Sequence, residues 1–144
     1  MRPPFPTIHA CALIVGEAGI LIRGPSRSGK SSLTLALLTA AEAQGRFARL
    51  VADDRVGLSV ETGLLFGAPH PLIAGQIEQR GMGILTLPYE GKAQLTHVVD
   101  LVDGSGATIS PRGKTSVEGV ELDHFEVPSS LPKEVAVLEL LVKI

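Results

Sequence analysis

The residues with the clearest chemical meaning lie between Gly24 and Ser31, in the segment Gly-Pro-Ser-Arg-Ser-Gly-Lys-Ser. This segment fits the pattern G-x-x-x-x-G-K-[ST], in which backbone N–H groups and a lysine surround phosphate oxygens. The two glycines lack a Cβ, so the chain can curl tightly around an anion. We expect Lys30 to meet the outer phosphates of a nucleotide and Ser31 to ligate Mg²⁺. The expected nucleotide-binding residues are Gly24, Pro25, Ser26, Arg27, Ser28, Gly29, Lys30, Ser31 and Ser32.

The sequence on either side of this loop has the pattern that the loop requires. The apolar run at residues 20–22 indicates a buried strand before it, and the residues after Lys30 have helical composition without a breaker. We predict a helix over residues 30–44 that ends at Gly45, with its apolar residues at helical spacing. The N-terminal N–H groups and the dipole of this helix then point at the same anion as the loop.

Two adjacent carboxylates, Asp53 and Asp54, end the next predicted strand, residues 49–54. Ligands of open α/β sheets bind beyond the carboxyl ends of the strands, so these side chains should project toward the phosphates. A carboxylate in that place can ligate a metal or accept a proton. Successive strand residues face opposite sides, so we expect only one of the pair to point inward. The alternative is a solvated turn, where Asp is common.

The rest of the chain predicts an α/β protein. Residues 7–15 and 20–22 form one predicted hairpin, and residues 56–60 and 63–67 form another. A short helix is predicted at residues 72–78, while periodicity leaves residues 133–142 open between strand and helix. The remaining predicted strands cover residues 84–87, 93–102, 120–122 and 125–127, with a breaker-rich connection from 103 to 115.

Composition limits the class of protein. The 144 residues predict one domain, 1–144, and the content of 44% hydrophobic and 19% charged residues favours a compact core. The net charge of -2 and the lack of a basic stripe argue against nucleic acid as a partner. The apolar runs are shorter than the ~20 residues that span a bilayer. The single cysteine, Cys11, is predicted to be a buried thiol, and we expect a cytoplasmic protein.

Three stretches of the chain together resemble the catalytic domain of HPr kinase/phosphorylase, the bacterial enzyme that phosphorylates a serine of the phosphocarrier protein HPr. Besides the phosphate loop, residues 51–55 match the Val-Ala-Asp-Asp-Arg strand end of that family. Residues 78–84, Glu-Gln-Arg-Gly-Met-Gly-Ile, are similar to its signature Glu-Ile-Arg-Gly-Leu-Gly-Ile, and His9 matches a histidine before the loop. The resemblance runs from about His9 to Leu87.

The resemblance implies a fold and a set of roles. The fold would be a P-loop kinase domain of the HPr kinase/PEP carboxykinase-like type, with a mixed sheet and flanking helices. Asp54 would take the proton from the substrate serine and return it in the reverse, phosphate-driven reaction, with Asp53 assisting. The implied catalytic residues are His9, Lys30, Asp53, Asp54 and Arg112, and the implied metal ligands are Ser31 and Glu78.

The resemblance also implies partners. These are ATP and Mg²⁺ as cofactors, HPr or a paralogue as the protein substrate, phosphate and pyrophosphate in the reverse reaction, and a homo-oligomer, which is a hexamer in the family. The chain resembles the short members that lack the family's N-terminal domain. It departs from many members at residues 129–134, where Ser-Ser-Leu-Pro-Lys-Glu stands in place of a basic Arg/Lys-Pro-Gly-Arg-Asn loop.

Two alternatives remain open at this point. A P-loop kinase of a small molecule would need an acceptor pocket and an arginine-bearing lid, for which residues 112–114 are the candidate. A regulatory module that senses the nucleotide without transferring phosphate is favoured by the altered C-terminal loop. The complete set of Lys30, Ser31, Asp53, Asp54 and Glu78 argues against that module.

Overall fold

A six-stranded mixed sheet forms the centre of the computed structural model, which describes residues 6–104 and 108–144. The strands are β1 Thr7–Ile8, β2 Cys11–Val15, β3 Ala18–Arg23, β4 Ala48–Ala52, β5 Val56–Glu61, β6 Leu64–Pro69, β7 Gln76–Gln79, β8 Gly83–Thr86, β9 Ala93–Gln94, β10 His97–Val102, β11 Ser110–Val117 and β12 Val120–Pro128. The helices are α1 Lys30–Ala43 and α2 Lys133–Lys143, with one 3₁₀ turn at Pro71–Ile73. This arrangement confirms the predicted α/β fold with a mixed sheet and flanking helices.

The order of the strands in the large sheet is β11-β12-β10-β3-β2-β4. Strands β3, β10 and β12 are mutually parallel, and β4 runs the same way because β2 pairs antiparallel with both β3 and β4. The carboxyl ends of four strands therefore lie at one edge of the sheet. The phosphate loop follows β3, the two aspartates follow β4, and β10 and β12 end on the other side of the loop.

Alternating residues of the large sheet supply two cores. Side chains such as Leu13, Ile20 and Ile22 pack against the helices α1 and α2. The neighbours Ala12 and Leu21 face the other way, toward a four-stranded sheet in the order β1-β5-β6-β9. Because a strand alternates its side chains, one strand can serve both cores. Among the described residues, no helix is long and apolar enough to cross a membrane.

Both predicted hairpins are confirmed, as β2–β3 and β5–β6. The second one turns at Thr62 and Gly63, whose φ angles of 51° and 79° suit a tight hairpin turn. The segment at residues 133–142, left open by periodicity, is the helix α2. Its buried residues Val137, Leu140 and Leu141 follow helical spacing, with Glu134 in the first turn and Lys143 in the last.

The helix predicted at residues 72–78 is wrong. A 3₁₀ turn begins at Pro71 but ends before Gly75, whose φ of 78° breaks the helical path. The chain then becomes the strand β7, which pairs with β8 and buries Ile77 in the core. Pro71 and Gly75 therefore mark a turn between the strands β6 and β7. The charged residues after Gly75 belong to the β7–β8 hairpin.

Three other boundaries also differ from the prediction. The strand at residues 7–15 is divided into β1, which joins the small sheet, and β2, which joins the large one. The strand at 93–102 is divided in the same way into β9 and β10. The breaker-rich segment contains the strand β11, because a bulge between Pro111 and Lys114 takes up Gly113 with its φ of 70°.

Candidate active site

The phosphate loop leaves β3 in close contact with β10. A Cβ on Gly24 would lie 2.7 Å from Ser28 Oγ and 3.0 Å from the Cβ of Leu101, so only glycine fits there. Gly29 caps α1 with a φ of 97°, a left-handed conformation that glycine adopts without strain. The ammonium of Lys30 donates to the carbonyl oxygens of Gly24 at 2.9 Å and Pro25 at 3.0 Å. The lysine is thereby held over the loop, where a phosphate oxygen would replace a carbonyl as acceptor.

Asp53 joins three elements through one buried carboxylate, which is only 7% exposed. Its Oδ1 accepts hydrogen bonds from the Ser31 hydroxyl at 2.5 Å and from the Cys11 thiol at 3.1 Å. Its Oδ2 accepts the backbone N–H of Glu78 at 3.0 Å. Because the hydroxyl proton of Ser31 points at Asp53, the lone pairs of that oxygen are oriented toward the cleft.

The thiol of Cys11 completes this arrangement. Its side chain is fully buried, as predicted. Burial, and then the negative charge of Asp53, raise the pKa of the Cys11 thiol to about 12. The thiol therefore stays protonated and acts as a hydrogen-bond donor to Asp53, which makes it a structural partner of the carboxylate.

Asp54 follows at once but has the opposite environment. Its backbone lies in the left-handed region with a φ of 69°, and its side chain is 66% exposed. The left-handed turn brings both aspartates to the cleft, although successive strand residues normally face opposite sides. Asp53 is the buried member of the pair and Asp54 the open one. The ring nitrogen Nδ1 of His9 lies 3.4 Å from Asp54 Oδ1.

The β7–β8 hairpin forms the facing wall and contributes a residue that the sequence analysis missed. Gln79 donates from Nε2 to the Ser32 hydroxyl at 3.0 Å, which ties the hairpin to the first turn of α1. Its Oε1 is buried, and it has no hydrogen-bond partner within the described part of the chain; the same is true of Ser28 Oγ. Two unsatisfied polar atoms beside one loop indicate that a polar ligand belongs there. The only signal in the sequence was the position of Gln79 inside the signature segment.

These elements enclose a cleft of about 670 Å³. It is lined by six of the predicted catalytic and metal-binding residues, His9, Lys30, Ser31, Asp53, Asp54 and Glu78, together with Ser26, Arg27, Gly29 and Ser32 of the loop. Pro25 and Ser28 line the other side of the loop. Arg112 is not brought to the cleft. It lies in β11, three strands from β3, and its Nε donates to Glu126 at 2.8 Å.

The donor atoms in the cleft suit a hard cation. Hydroxyl and carboxylate oxygens of Ser31, Asp54 and Glu78 border the same space, and oxygen is the ligand that Mg²⁺ prefers. Within the described ranges no group of three His, Cys, Asp or Glu side chains is placed to hold a metal ion alone. This pattern fits Mg²⁺, which is usually held by one or two protein oxygens, with water and substrate phosphates completing its shell.

Comparison with known proteins gives a consistent result. The family model for the HPr Serine kinase C-terminal domain matches residues 4–94. HPr kinase/phosphorylase of Mycoplasma mycoides is 29% identical over 136 residues, which cover 85% of this chain and 42% of that protein. HPr kinase/phosphorylase of Clostridium tetani is 38% identical over 85 residues, covering 59% of this chain and 26% of that one. The chain thus spans less than half the length of these relatives.

A solved structure extends the likeness beyond the matched segment. The Hpr(Ser) kinase/phosphatase from Coxiella burnetii superimposes with a TM-score of 0.77 and 25% identity, covering 96% of this chain and 94% of the other. The match therefore includes the elements from β10 to α2. These elements lie after residue 94, where the match to the family model ends. On the family model and on this structural agreement, the chain belongs to the HPr serine kinase C-terminal domain family.

Proposed function

We propose that this chain transfers the terminal phosphoryl group of ATP to a serine of HPr or of an HPr-like carrier protein. The observation that carries the proposal is the cleft in which Lys30, the Ser31 hydroxyl and the open carboxylate of Asp54 border one space beside the phosphate loop. Phosphoryl transfer needs positioning and neutralisation of charge more than covalent chemistry by the protein. A lysine, a loop of N–H groups and an accessible base supply these requirements.

Each residue of the cleft has its own role in the transfer of the phosphoryl group. The loop N–H groups and Lys30 hold the outer phosphates, and Asp53 fixes the Ser31 hydroxyl by accepting its hydrogen bond. The serine oxygen of the carrier attacks the γ-phosphorus while Asp54 accepts the hydroxyl proton. The new oxygen–phosphorus bond forms as the bond to the β-phosphate oxygen breaks, and ADP leaves. When Mg²⁺ is bound, by Ser31 and Glu78 in this proposal, it offsets the negative charge of the phosphates.

The same groups serve the reverse reaction. Inorganic phosphate in the cleft attacks the phosphoserine phosphorus, and the bond to the serine oxygen breaks. Asp54 delivers a proton to that oxygen, the attacking hydrogen phosphate supplies the proton that replaces it, and pyrophosphate is released. His9 Nδ1 lies 3.4 Å from Asp54 Oδ1 and is placed to orient that carboxylate in the cleft.

The two alternatives have less support. A small-molecule kinase needs a mobile arginine-bearing lid, but residues 112–114 belong to β11, where Arg112 and Lys114 are engaged with Glu126 and Asp123. A sensing module would not need an exposed carboxylate beside the loop, whereas Asp54 occupies that place in a left-handed conformation.

The test is a transfer assay with the purified chain, Mg²⁺, γ-labelled ATP and purified HPr, with serine-to-alanine HPr as the control substrate. The proposal expects labelled phosphoserine on HPr and none on the control. A labelled small molecule formed with a metabolite extract would favour the small-molecule kinase. Tight ATP binding without transfer to any carrier would favour the sensing module, and either result would overturn the proposal.

A further inference from the structure

Arg27 occupies a backbone position that suits glycine. The carbonyl oxygen of Pro25 accepts the N–H of Ser28 at 3.1 Å, which closes a tight turn within the phosphate loop. Arg27 is the third residue of this turn and has a φ of 66°. A positive φ at the third residue is characteristic of a type II turn, where glycine is preferred because a Cβ makes the left-handed conformation unfavourable. The loop therefore carries an arginine where glycine would fit with less strain.

The other non-glycine residues with a left-handed backbone show why Arg27 is unusual. The described part of the chain contains four such residues, and two of them are Thr62 and Glu118. Each comes directly before a glycine in a hairpin turn, where the turn itself requires a positive φ. The other two, Asp54 and Arg27, both border the active-site cleft. Strained backbone persists mainly where function depends on it, and the transfer chemistry above gives a role to Asp54 but none to the side chain of Arg27.

The guanidinium of Arg27 is available to a ligand. The residue is exposed, and its guanidinium makes no hydrogen bond or ion pair with any residue that the structure describes. Arg112, by comparison, is paired with Glu126. The planar fork of an arginine matches the spacing of phosphate oxygens. An unpaired arginine on a phosphate loop therefore fits a phosphoryl group.

The charge balance of the cleft shows what this arginine adds. The carboxylates of Asp53, Asp54 and Glu78 border the cleft, and the phosphates of a nucleotide bring more negative charge. Lys30 is the cation of the motif, whereas Arg112, the arginine expected here from the resemblance, lies in β11. The open carboxylate of Asp54 repels a phosphoryl group that lies beside it. A second fixed cation on the loop offsets this repulsion and stabilises the charge that is spread over the phosphoryl oxygens during transfer.

We propose that Arg27 is a catalytic residue whose guanidinium contacts the oxygens of the phosphoryl group while that group passes from ATP to the acceptor serine. The proposal rests on the proposed function, because it assigns a role within that reaction, but the contact itself needs only a nucleotide on the loop. The arginine forms no covalent bond and moves no proton; it stabilises the charge of the transferred group. Lys30, Asp54 and Arg27 border the same cleft, so the three side chains surround one space.

Arg27→Gly tests the proposal, because it removes the guanidinium and leaves a residue that suits the turn. We expect kcat for transfer to HPr to fall about 10³-fold, as for loss of a catalytic arginine, while the KM for ATP stays within about twofold. The urea midpoint should be at or above that of the parent, because glycine relieves the left-handed strain. Arg27→Lys keeps a charge but not the fork and should recover part of the rate. Glu118→Gly makes the matching change at an exposed, charged, left-handed residue of the β11–β12 turn and should leave kcat unchanged.

A second readout needs no carrier protein. Affinity for ADP with Mg²⁺ is measured with and without aluminium fluoride, which mimics the phosphoryl group during transfer. We expect Arg27→Gly to weaken binding of the aluminium fluoride complex about tenfold or more, and to change binding of ADP alone by less than about twofold, because the contact is strongest in the transition state. If parent and variant bind the aluminium fluoride complex equally, the inference is overturned.

The outcomes separate this inference from the proposed function. If the parent and Arg27→Gly label HPr at the same rate, the proposed function stands and the inference fails; Arg80, the other arginine that borders the cleft, then becomes the candidate. If the parent labels no carrier but the variant selectively loses affinity for the aluminium fluoride complex, the proposed function fails and the role of Arg27 remains. A fall in kcat without that selective loss would mean that Arg27 binds the carrier protein and not the phosphoryl group, which also overturns the inference.

Discussion

Asp53, which directly follows β4, and Asp100, in β10, are both well hydrogen-bonded carboxylates with opposite uses. Asp100 accepts hydrogen bonds from Nε and Nη2 of Arg23, both at 2.8 Å, and from His124 Nε2 at 2.6 Å. Burial alone would raise the pKa of Asp100, but the hydrogen bonds from Arg23 and His124 outweigh it and hold that pKa below its usual value. The hydrogen bonds from Arg23 and His124 engage both oxygens of this carboxylate and join β3, β10 and β12.

Both carboxylate oxygens of Asp53 also accept hydrogen bonds, but the donors are groups that belong to the cleft. Its partners are the Ser31 hydroxyl, the Cys11 thiol and the backbone of Glu78. The carboxylate orients a hydroxyl whose lone pairs stay available, and it is followed by Asp54, which is open. The comparison shows that a full set of hydrogen bonds alone does not distinguish a structural carboxylate from one in a functional site. The distinction lies in what the partners can still bind.

Replacing Lys30, a residue of the cleft, should cause a large loss of transfer activity. Lys30→Met removes the charge that faces the outer phosphates, and we expect kcat/KM for transfer to fall about 10³-fold, as for loss of a preorganised electrostatic group. Steady-state transfer of label from ATP to HPr measures it. Lys143→Met, an exposed lysine at the end of α2, is the control and should behave as the parent. If kcat/KM of Lys30→Met stayed within threefold of the parent value, the phosphate loop could not hold the transferred phosphate as proposed.

Replacing Asp53 should affect both folding and transfer. Asp53→Asn places an amide donor where three donors now converge, and a hydrogen bond to a charged group contributes about 1.5–3 kcal/mol. We expect a decrease of about that size in the free energy of unfolding, measured by urea denaturation, together with impaired transfer. Glu118→Gln, an exposed acidic residue in a turn, should leave both unchanged. Full stability in Asp53→Asn would show that the Ser31 and Cys11 contacts contribute little.

Replacing Asp100 should affect stability alone. Asp100→Asn weakens the contact with Arg23, at a cost of about 1–3 kcal/mol, while kcat measured well below the melting temperature should stay within a few-fold of the parent. Because the folded pKa of Asp100 is lowered, its contribution is complete above the ordinary value of 3.8 and is lost as the pH falls through the folded value.

The pH dependence of unfolding provides the check. The difference in unfolding free energy between the parent and Asp100→Asn should be large at pH 7 and should shrink at pH 3. A difference that is independent of pH would mean that the charge of Asp100 does not matter. If Asp100→Asn were as stable as the parent but inactive, Asp100 would have a catalytic role and not a structural one.

The smallest effect concerns Cys11. With a pKa of about 12 and no exposed surface, the thiol should resist iodoacetamide at pH 8 in the folded protein and react once urea unfolds the chain. Mass spectrometry of the alkylated protein measures it. Complete labelling of the folded chain within minutes would show that the contact between Cys11 and Asp53 opens readily.

Local pattern was enough to predict the parts of the site that are contiguous in sequence. The order strand, loop, Lys30, Ser31 and helix follows from one motif, and the two hairpins follow from their turns. The placement of Asp53 beside the loop needed only the rule that parallel strands end at one edge. Its burial under three donors did not follow from the sequence, because Cys11 and Glu78 come from distant segments.

The sequence also gave no sign of contacts that depend on tertiary packing. Gln79 contacts Ser32 because residues 76–86 form a hairpin, whereas the pattern predicted a helix over residues 72–78. Arg112 was assigned by resemblance, but a bulge in β11 turns it toward Glu126.

The most direct test of the central claim is the transfer rate of Asp54→Asn, measured beside its affinity for ATP. Asparagine tolerates the left-handed backbone of this position and has nearly the same shape, so folding and ATP binding should remain. Loss of the general base should lower kcat by about 10²–10⁴-fold. A variant that phosphorylates HPr at the rate of the parent would contradict the account, because Asp54 could then not be the group that accepts the serine proton.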